Sequence, residues 1–210
     1  MDFLAAGGEM GERMRRLDWA NTPLGPVDDW PQSLRVCVSM MLASKAQIIL
    51  FWGPEFVSVY NDGYIPVFGA KHPQMLGQPG RVAWSEIWDN MLRPLLVGVV
   101  ETGNAFQARD LEFVLERFGF VESTYFDVSY DPVRVESGEI GGVYCIVTET
   151  TGRVVGEQRL KLLWDLAQIT SARTPMEACV RAMEARDSCS CDPGRCQTRR
   201  GPGTTTWATS

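Results

Sequence analysis

Between residues 121 and 135 apolar and polar side chains alternate: Phe126, Val128 and Tyr130 are separated by Asp127, Ser129 and Asp131. A two-residue period predicts a strand with one buried and one wet face. Residues 105–117 and 140–148 also read as strands, and Phe118-Gly119-Phe120 and Glu136-Ser137-Gly138-Glu139 join the three in sequence. Earlier, residues 47–52 close on Gly53-Pro54 and residues 56–60 on Asn61-Asp62-Gly63, which is the punctuation of a β-hairpin. Antiparallel pairing is expected throughout.

Helical spacing fills the gaps. A short amphipathic helix is predicted over 9–17, and a second follows Pro31, with Leu34, Val38, Met41 and Leu42 recurring through Ser44. Short turns at 64–68 and 73–76 precede a long helix over 85–102, with Ser85 as N-cap and Gly103 as stop. A last helix is expected over 153–172, where Val155, Leu162, Leu166 and Ile169 fall on a 4-3 spaced seam interrupted by Arg159. Two strands, a helical insert, three strands and a helix make an α+β domain. The organisation predicted is an extension over 1–30, one domain over 31–152, a connector helix over 153–173, the opening of a further, truncated domain over 174–186, and a tail over 187–210. That tail contains no Val, Ile, Leu, Met or Phe, so it is expected to be disordered and reads as out-of-frame or truncated coding sequence.

The 210 residues carry a net charge of −6, with 45% hydrophobic and 22% charged residues. An acidic balance removes the electrostatic footprint of a nucleic-acid binder. Apolar runs such as 48–52 and 95–100 are far shorter than the ~20 residues of a membrane helix, and the N-terminus lacks a signal-peptide pattern. A soluble, cytoplasmic protein is expected. Cys37 and Cys145 fall in apolar periodic segments, as reduced cysteines do, and Cys189, Cys191 and Cys196 match no zinc spacing. No metal is expected.

No serine hydrolase, metalloprotease or phosphate-loop motif occurs, and the one histidine, His72, sits in a Lys-His-Pro loop, where it reads as exposed. Trp84, Trp88, Met91, Leu92 and Leu95 form an apolar stripe expected to face Ile48, Leu50, Phe126 and Val128, with Tyr144 and Ile146 on the same candidate pocket. Tyr60, Asn61 and Tyr64 are its nearest polar members. Two readings stay open: these side chains fill the core, or they enclose a small molecule. Asn61 is equally a turn former.

Several strings in order resemble a PAS domain of the type at the N-terminus of soluble bacterial sensor histidine kinases, including hybrid ones. They are Thr22-Pro23-Leu24-Gly25-Pro26, Trp30-Pro31-Gln32-Ser33-Leu34-Arg35, Trp52-Gly53-Pro54-Glu55, Tyr60-Asn61-Asp62, Gly69-Ala70-Lys71-His72-Pro73, Trp84-Ser85-Glu86-Ile87-Trp88 and Glu122-Ser123-Thr124-Tyr125-Phe126. The resemblance implies a five-stranded antiparallel sheet in spatial order 2-1-5-4-3 with helices on one face, and a signalling helix leaving the last strand. It implies a sensory and dimerisation role in two-component phosphorelay, with Glu149, Thr150 and Arg153 transmitting the signal. A homodimer through terminal helices and an unidentified small-molecule ligand are the partners it implies; nucleic acid and membrane are not expected. The alternative is a purely structural dimerisation module with a filled core, and the Glu149-Thr150 pair is equally an ordinary helix cap. Flavin-binding relatives use an Asn-Cys-Arg-Phe string and haem-binding ones a histidine on the long helix; both are absent here, so no cofactor is expected. Neither a phospho-accepting histidine nor a nucleotide loop is present, so the chain is not expected to be an enzyme by itself.

Overall fold

Period-two patterning is realised in three long strands, β3 (Phe106–Glu116), β4 (Val121–Arg134) and β5 (Ile140–Glu149), preceded by β1 (Gln47–Trp52) and β2 (Val57–Tyr60). The computed structural model describes residues 3–170 together with Val180 and Met183. The chain divides into two units, Met1–Val154 and Val155–Ser210. In the first, all strand pairs are antiparallel and the order is β2-β1-β5-β4-β3, the order that the resemblance implied.

Helices α1 (Glu9–Arg16) and α2 (Gln32–Ala43) precede the sheet, and α3 (Ile65–Phe68), α4 (Gly80–Ala83) and α5 (Arg93–Thr102) lie in the insert between β2 and β3. Thr151 opens α6 (Thr151–Thr170), most of which belongs to the second unit. The expected opening of a further domain at 174–186, the tail at 187–210 and its cysteines lie outside the described residues, apart from Val180 and Met183.

Two expected boundaries move, each for a local reason. Phe56 is not in the strand: its φ of 51° and its N–H to the Gly53 carbonyl close the β1–β2 turn, so β2 starts at Val57. Ser85 caps nothing; residues 84–87 form a turn, and a π-wound segment, Trp88–Leu92, leads into α5. Pro94 explains the change of winding, because it has no N–H to offer the Asn90 carbonyl and an α-helical ladder cannot run through it. Gly103 does stop the helix, in the left-handed conformation at φ 68°.

β1 is buried on both faces, which governs everything around it. Five of its six residues are buried, and α2 packs against β1 and β2 through Leu34, Val38, Met41 and Leu42. Asn61 ties these parts together. Its Oδ1 accepts from the Ile48 and Tyr64 amides at 3.2 Å, and its Nδ2 donates toward the Met41, Ser44 and Ala46 carbonyls at 3.1, 3.1 and 2.8 Å. Its neighbour Asp62 accepts from the Gly8 and Met10 amides, a cap supplied to α1 from 52 residues away at the nearer contact. The tripeptide Tyr60-Asn61-Asp62 therefore fastens both N-terminal helices to the sheet.

Asn61→Ala is expected to lower folding stability by about 3 kcal/mol, since buried backbone donors and carbonyls at three elements lose their partner. A fall in the urea midpoint at unchanged m-value is the expected reading.

Candidate functional site

Inward residues of the sheet, Ile49, Phe51, Phe113, Leu115, Phe126, Val128, Tyr130 and Val147, meet Tyr64, Val67, Trp84, Ile87 and Leu92 from the insert. Between them is a cavity of about 20 Å³. One water needs about 10–15 Å³, whereas pockets for drug-sized ligands run to several hundred. Aromatic rings occupy the space: Phe68 stacks on Trp84 at 4.6 Å, and Tyr60 and Tyr64 pack against Phe68 at 4.7 and 5.4 Å. Burial pushes the phenols of Tyr64 and Tyr130 and the thiol of Cys145 well up, so all three are held neutral. Trp84 Nε1 is buried with no hydrogen-bond partner among the described residues.

Of the expected pocket residues, Tyr64, Trp84, Leu92, Phe126 and Val128 line this cavity. Ile48, Leu50, Tyr144 and Ile146 do not. They face the other side of the sheet as paired neighbours, Ile48 opposite Ile146 and Leu50 opposite Tyr144. Ile48-Ile49-Leu50-Phe51-Trp52 is apolar without alternation because α2 covers its second face, so the pattern carries no phase. Trp88, Met91 and Leu95 pack partly buried against the core, and Trp88 meets Phe56 edge-on at 5.9 Å. Asn61 has its amide committed to backbone, as described above. Tyr60 is fully buried, and its hydroxyl reaches His72 Nδ1 at 2.9 Å.

His72 is not the exposed loop residue expected: its side chain is 11% exposed and its Nε2 lies 2.9 Å from Glu9 Oε1. A loop position in sequence says nothing of α1, which folds over it. The His72 and Arg13 hydrogen bonds hold the Glu9 carboxyl below the usual carboxylate range.

A second constellation sits where β5 becomes α6. Glu149 accepts a two-pronged pair from Arg117, at 2.9 and 3.1 Å, and a hydrogen bond from the Thr151 hydroxyl at 2.9 Å. Arg117 also binds Glu122 through Nε at 2.9 Å and is only 8% exposed. Burial alone would lower its proton affinity, and the two carboxylates more than reverse that. Thr150 and Arg153 both converge on Asp110 Oδ1, the Thr150 hydroxyl at 2.7 Å. Asp110 is presented by a β-bulge in β3, where the register with β4 shifts between Ala108 and Leu111 and its own φ is 49°. The expected residues Glu149, Thr150 and Arg153 lie together here. Asp110 and Arg117 were not expected, although the consecutive charges Arg109-Asp110 break the alternation of that strand and are the signal of a bulge.

No protein-family model matches the chain, and no curated protein matches it. Among solved structures it is similar to an RNA-binding light-oxygen-voltage receptor, at 20% identity over 70% of this chain and 42% of that one, with a TM-score of 0.46. It is also similar to a LOV protein of Rhodobacter sphaeroides (15% identity, 74% of this chain, 92% of that one, TM-score 0.47) and to a sensory box sensor histidine kinase from Vibrio cholerae (16%, 56%, 93%, TM-score 0.39). The chain thus spans less than half the length of the first of these.

A cavity of this size predicts that the chain, mixed with flavin mononucleotide or haemin and passed through gel filtration, emerges without their visible absorption. Stoichiometric retention of either would require the aromatic cluster to open.

Proposed function

We propose that the chain is a PAS-type sensory module that passes a change in its sheet to the helix leaving β5. One observation carries the reading: Asp110 on β3 takes the Thr150 hydroxyl and the Arg153 guanidinium, while Arg117, just past β3, grips Glu149 at the end of β5, so side chains from the β3 side hold the place where α6 begins. Asp110 holds the Thr150 hydroxyl and the Arg153 guanidinium and Glu149 holds the Thr151 hydroxyl, so a shift of β3 against β5 alters how the helix begins. Glu149, Thr150 and Arg153 are the transmitting residues, with Asp110 and Arg117 as their counterparts. For a signal to pass, the input must bind one arrangement of this junction better than the other.

The input in this reading is a partner protein or a small molecule, and the narrow cavity favours a partner. The output is a histidine kinase-like step of two-component signalling in the cytoplasm, carried by protein outside this chain. Leu160, Leu162, Leu163 and Trp164 are exposed on α6 in the second unit, and a homodimer would cover them. Native mass spectrometry tests both points, with a dimer and no retained ligand expected. A second reading, a structural dimerisation module that senses nothing, is favoured by the filled core.

Amide exchange separates the two. Asp110→Asn keeps a residue that tolerates positive φ but removes the carboxylate, and is expected to speed exchange at residues 151–154 about threefold while leaving β4 and β5 unchanged. An unaltered helix start would favour the structural module. Acid should act in the same direction: Arg153, then Thr150, hold the Asp110 carboxyl below its ordinary range, so its contribution is complete above the unfolded carboxyl's value near 4 and disappears as pH falls through the lower folded one. Protection at 151–154 should fall with acidification in the native chain and lose that dependence in Asp110→Asn.

A further inference from the structure

The turn at 117–120 projects past the ladder of β3 and β4, whose last pair is Glu116 with Val121, and Phe118, Phe120 and Val121 are exposed. Among the described residues this turn makes one backbone hydrogen bond outside the ladder, from the Ala70 N–H to the Arg117 carbonyl at 2.7 Å. The guanidinium of the same residue forks onto Glu149 and binds Glu122. Arg117 is thus held by its main chain to the helical insert and by its side chain to the end of β5. We infer that Gly69 and Ala70 are positioning residues for the start of α6: by clasping the Arg117 carbonyl they keep its guanidinium in register with Glu149, a role that rests on the β5–α6 junction being the output proposed above.

Residue 69 must be glycine for two separate reasons. Its φ of 56° with ψ of −127° is a conformation that a side chain strongly disfavours. A Cβ there would also stand 2.7 Å from the Arg117 carbonyl oxygen and 3.0 Å from both Arg117 Cβ and Phe118 Cε1. Only a bare backbone comes this close. The strip Gly69–Lys71 is in turn anchored in the core at both ends, because Phe68 stacks on Trp84 at 4.6 Å and packs on Tyr60 at 4.7 Å, while Lys71 pairs with Glu86 and lies 5.3 Å from the Trp84 ring. Movement of Trp84 or Phe68 therefore reaches the Arg117 carbonyl through covalent neighbours.

The far side of Arg117 is sensitive to such a displacement. A two-pronged ion pair demands that two N–H bonds meet two carboxylate oxygens at once, so its strength falls when the main chain carrying it shifts. Here the guanidinium is only 8% exposed, and water is poorly placed to replace a misaligned partner. Glu149 accepts the Thr151 hydroxyl as well, on the oxygen that also meets Arg117 Nη2. A loosened fork is thereby felt in the first turn of α6.

Amide exchange in the full chain tests the clasp. Replacing the Ala70 N–H by a backbone ester oxygen deletes the donor without adding bulk, and Gly69→Ala pushes the strip away from Arg117. Each is expected to speed exchange at residues 151–154 about threefold while β1 and β2 stay as protected as in the native chain. Gly53→Ala, at φ 70° with nothing within 4 Å of its Cβ, carries backbone strain without the collision and should leave 151–154 unchanged. In Glu149→Gln, which weakens the fork, the ester should add no further speeding, because its effect passes through Arg117. Native exchange at 151–154 in the ester protein, or an equal gain from the ester in the Glu149→Gln background, would overturn the inference, whether or not Gly69→Ala folds. Asp110→Asn leaves the clasp intact, so the output reading and the clasp can fail separately.

Discussion

The way the chain leaves this sheet is constrained by the position of β5. The strand lies between β1 and β4 and is paired along both edges, so its backbone cannot shift without disturbing two ladders. Its last residue, Glu149, still lies opposite Phe126, and the next amide, that of Thr150, donates to the Tyr125 carbonyl at 2.7 Å. The chain therefore leaves the sheet only at the residue where α6 starts. A helix launched from a central strand inherits that strand's position, whereas one launched from an edge strand would have a looser anchor.

Arg117 and Asp110 turn this topological fact into chemistry. Each reaches the junction from the β3 side, two strands away from β5, and each binds through an ionised group. The Arg117 fork is nearly buried and must keep its carboxylates, because breaking such a pair leaves an uncompensated charge in a low-dielectric site. The Asp110 contacts are half-exposed and correspondingly weak. One clamp fixes the end of β5 and the other holds the helix lightly, an arrangement in which the first turn of α6 can change without unfolding the sheet.

How much of this was legible in the sequence follows from what covers each element. β4 and β5 bury one face, alternate cleanly, and were located to within a residue or two. β1 is sandwiched, so its existence was visible and its phase was not; Ile48 and Leu50 were assigned to the cavity that Ile49 and Phe51 line. The long helix was expected from periodicity, but Pro94 and the π-wound turn before it shifted the start by several residues. At the site, Glu149, Thr150 and Arg153 were named from the resemblance of the string Glu149-Thr150-Thr151-Gly152-Arg153 to the family's ending. Arg117 and Asp110 come from 32 and 40 residues before their partners and Glu9 from 63 before His72, and only the folded sheet and the docked α1 place them. His72 illustrates the same limit: its character depends wholly on a helix more than 60 residues upstream.

The two ends of the domain are joined by a short, continuous set of polar contacts along the start of β1. Asn61, beside the Tyr60–His72 bridge, donates to the Ala46 carbonyl at 2.8 Å. The next residue, Gln47, accepts the Glu149 amide on its side-chain oxygen at 3.1 Å. From α1 the line runs through Glu9, His72 and Tyr60 to Asn61, across Ala46 and Gln47, to Glu149 and the opening of α6. Contiguity alone does not transmit a signal; an element with two arrangements is needed, biased at both ends. The lightly held first turn of α6 lies at one end of this line, and the docking of α1 through Glu9 and Asp62 lies at the other. With the core between them packed to a cavity of about 20 Å³, the helix–sheet interior is poorly suited to act as the receiver. If the chain senses as proposed, the receiving surface is to be sought at the N-terminal helices, with the densely packed centre as the part they act against.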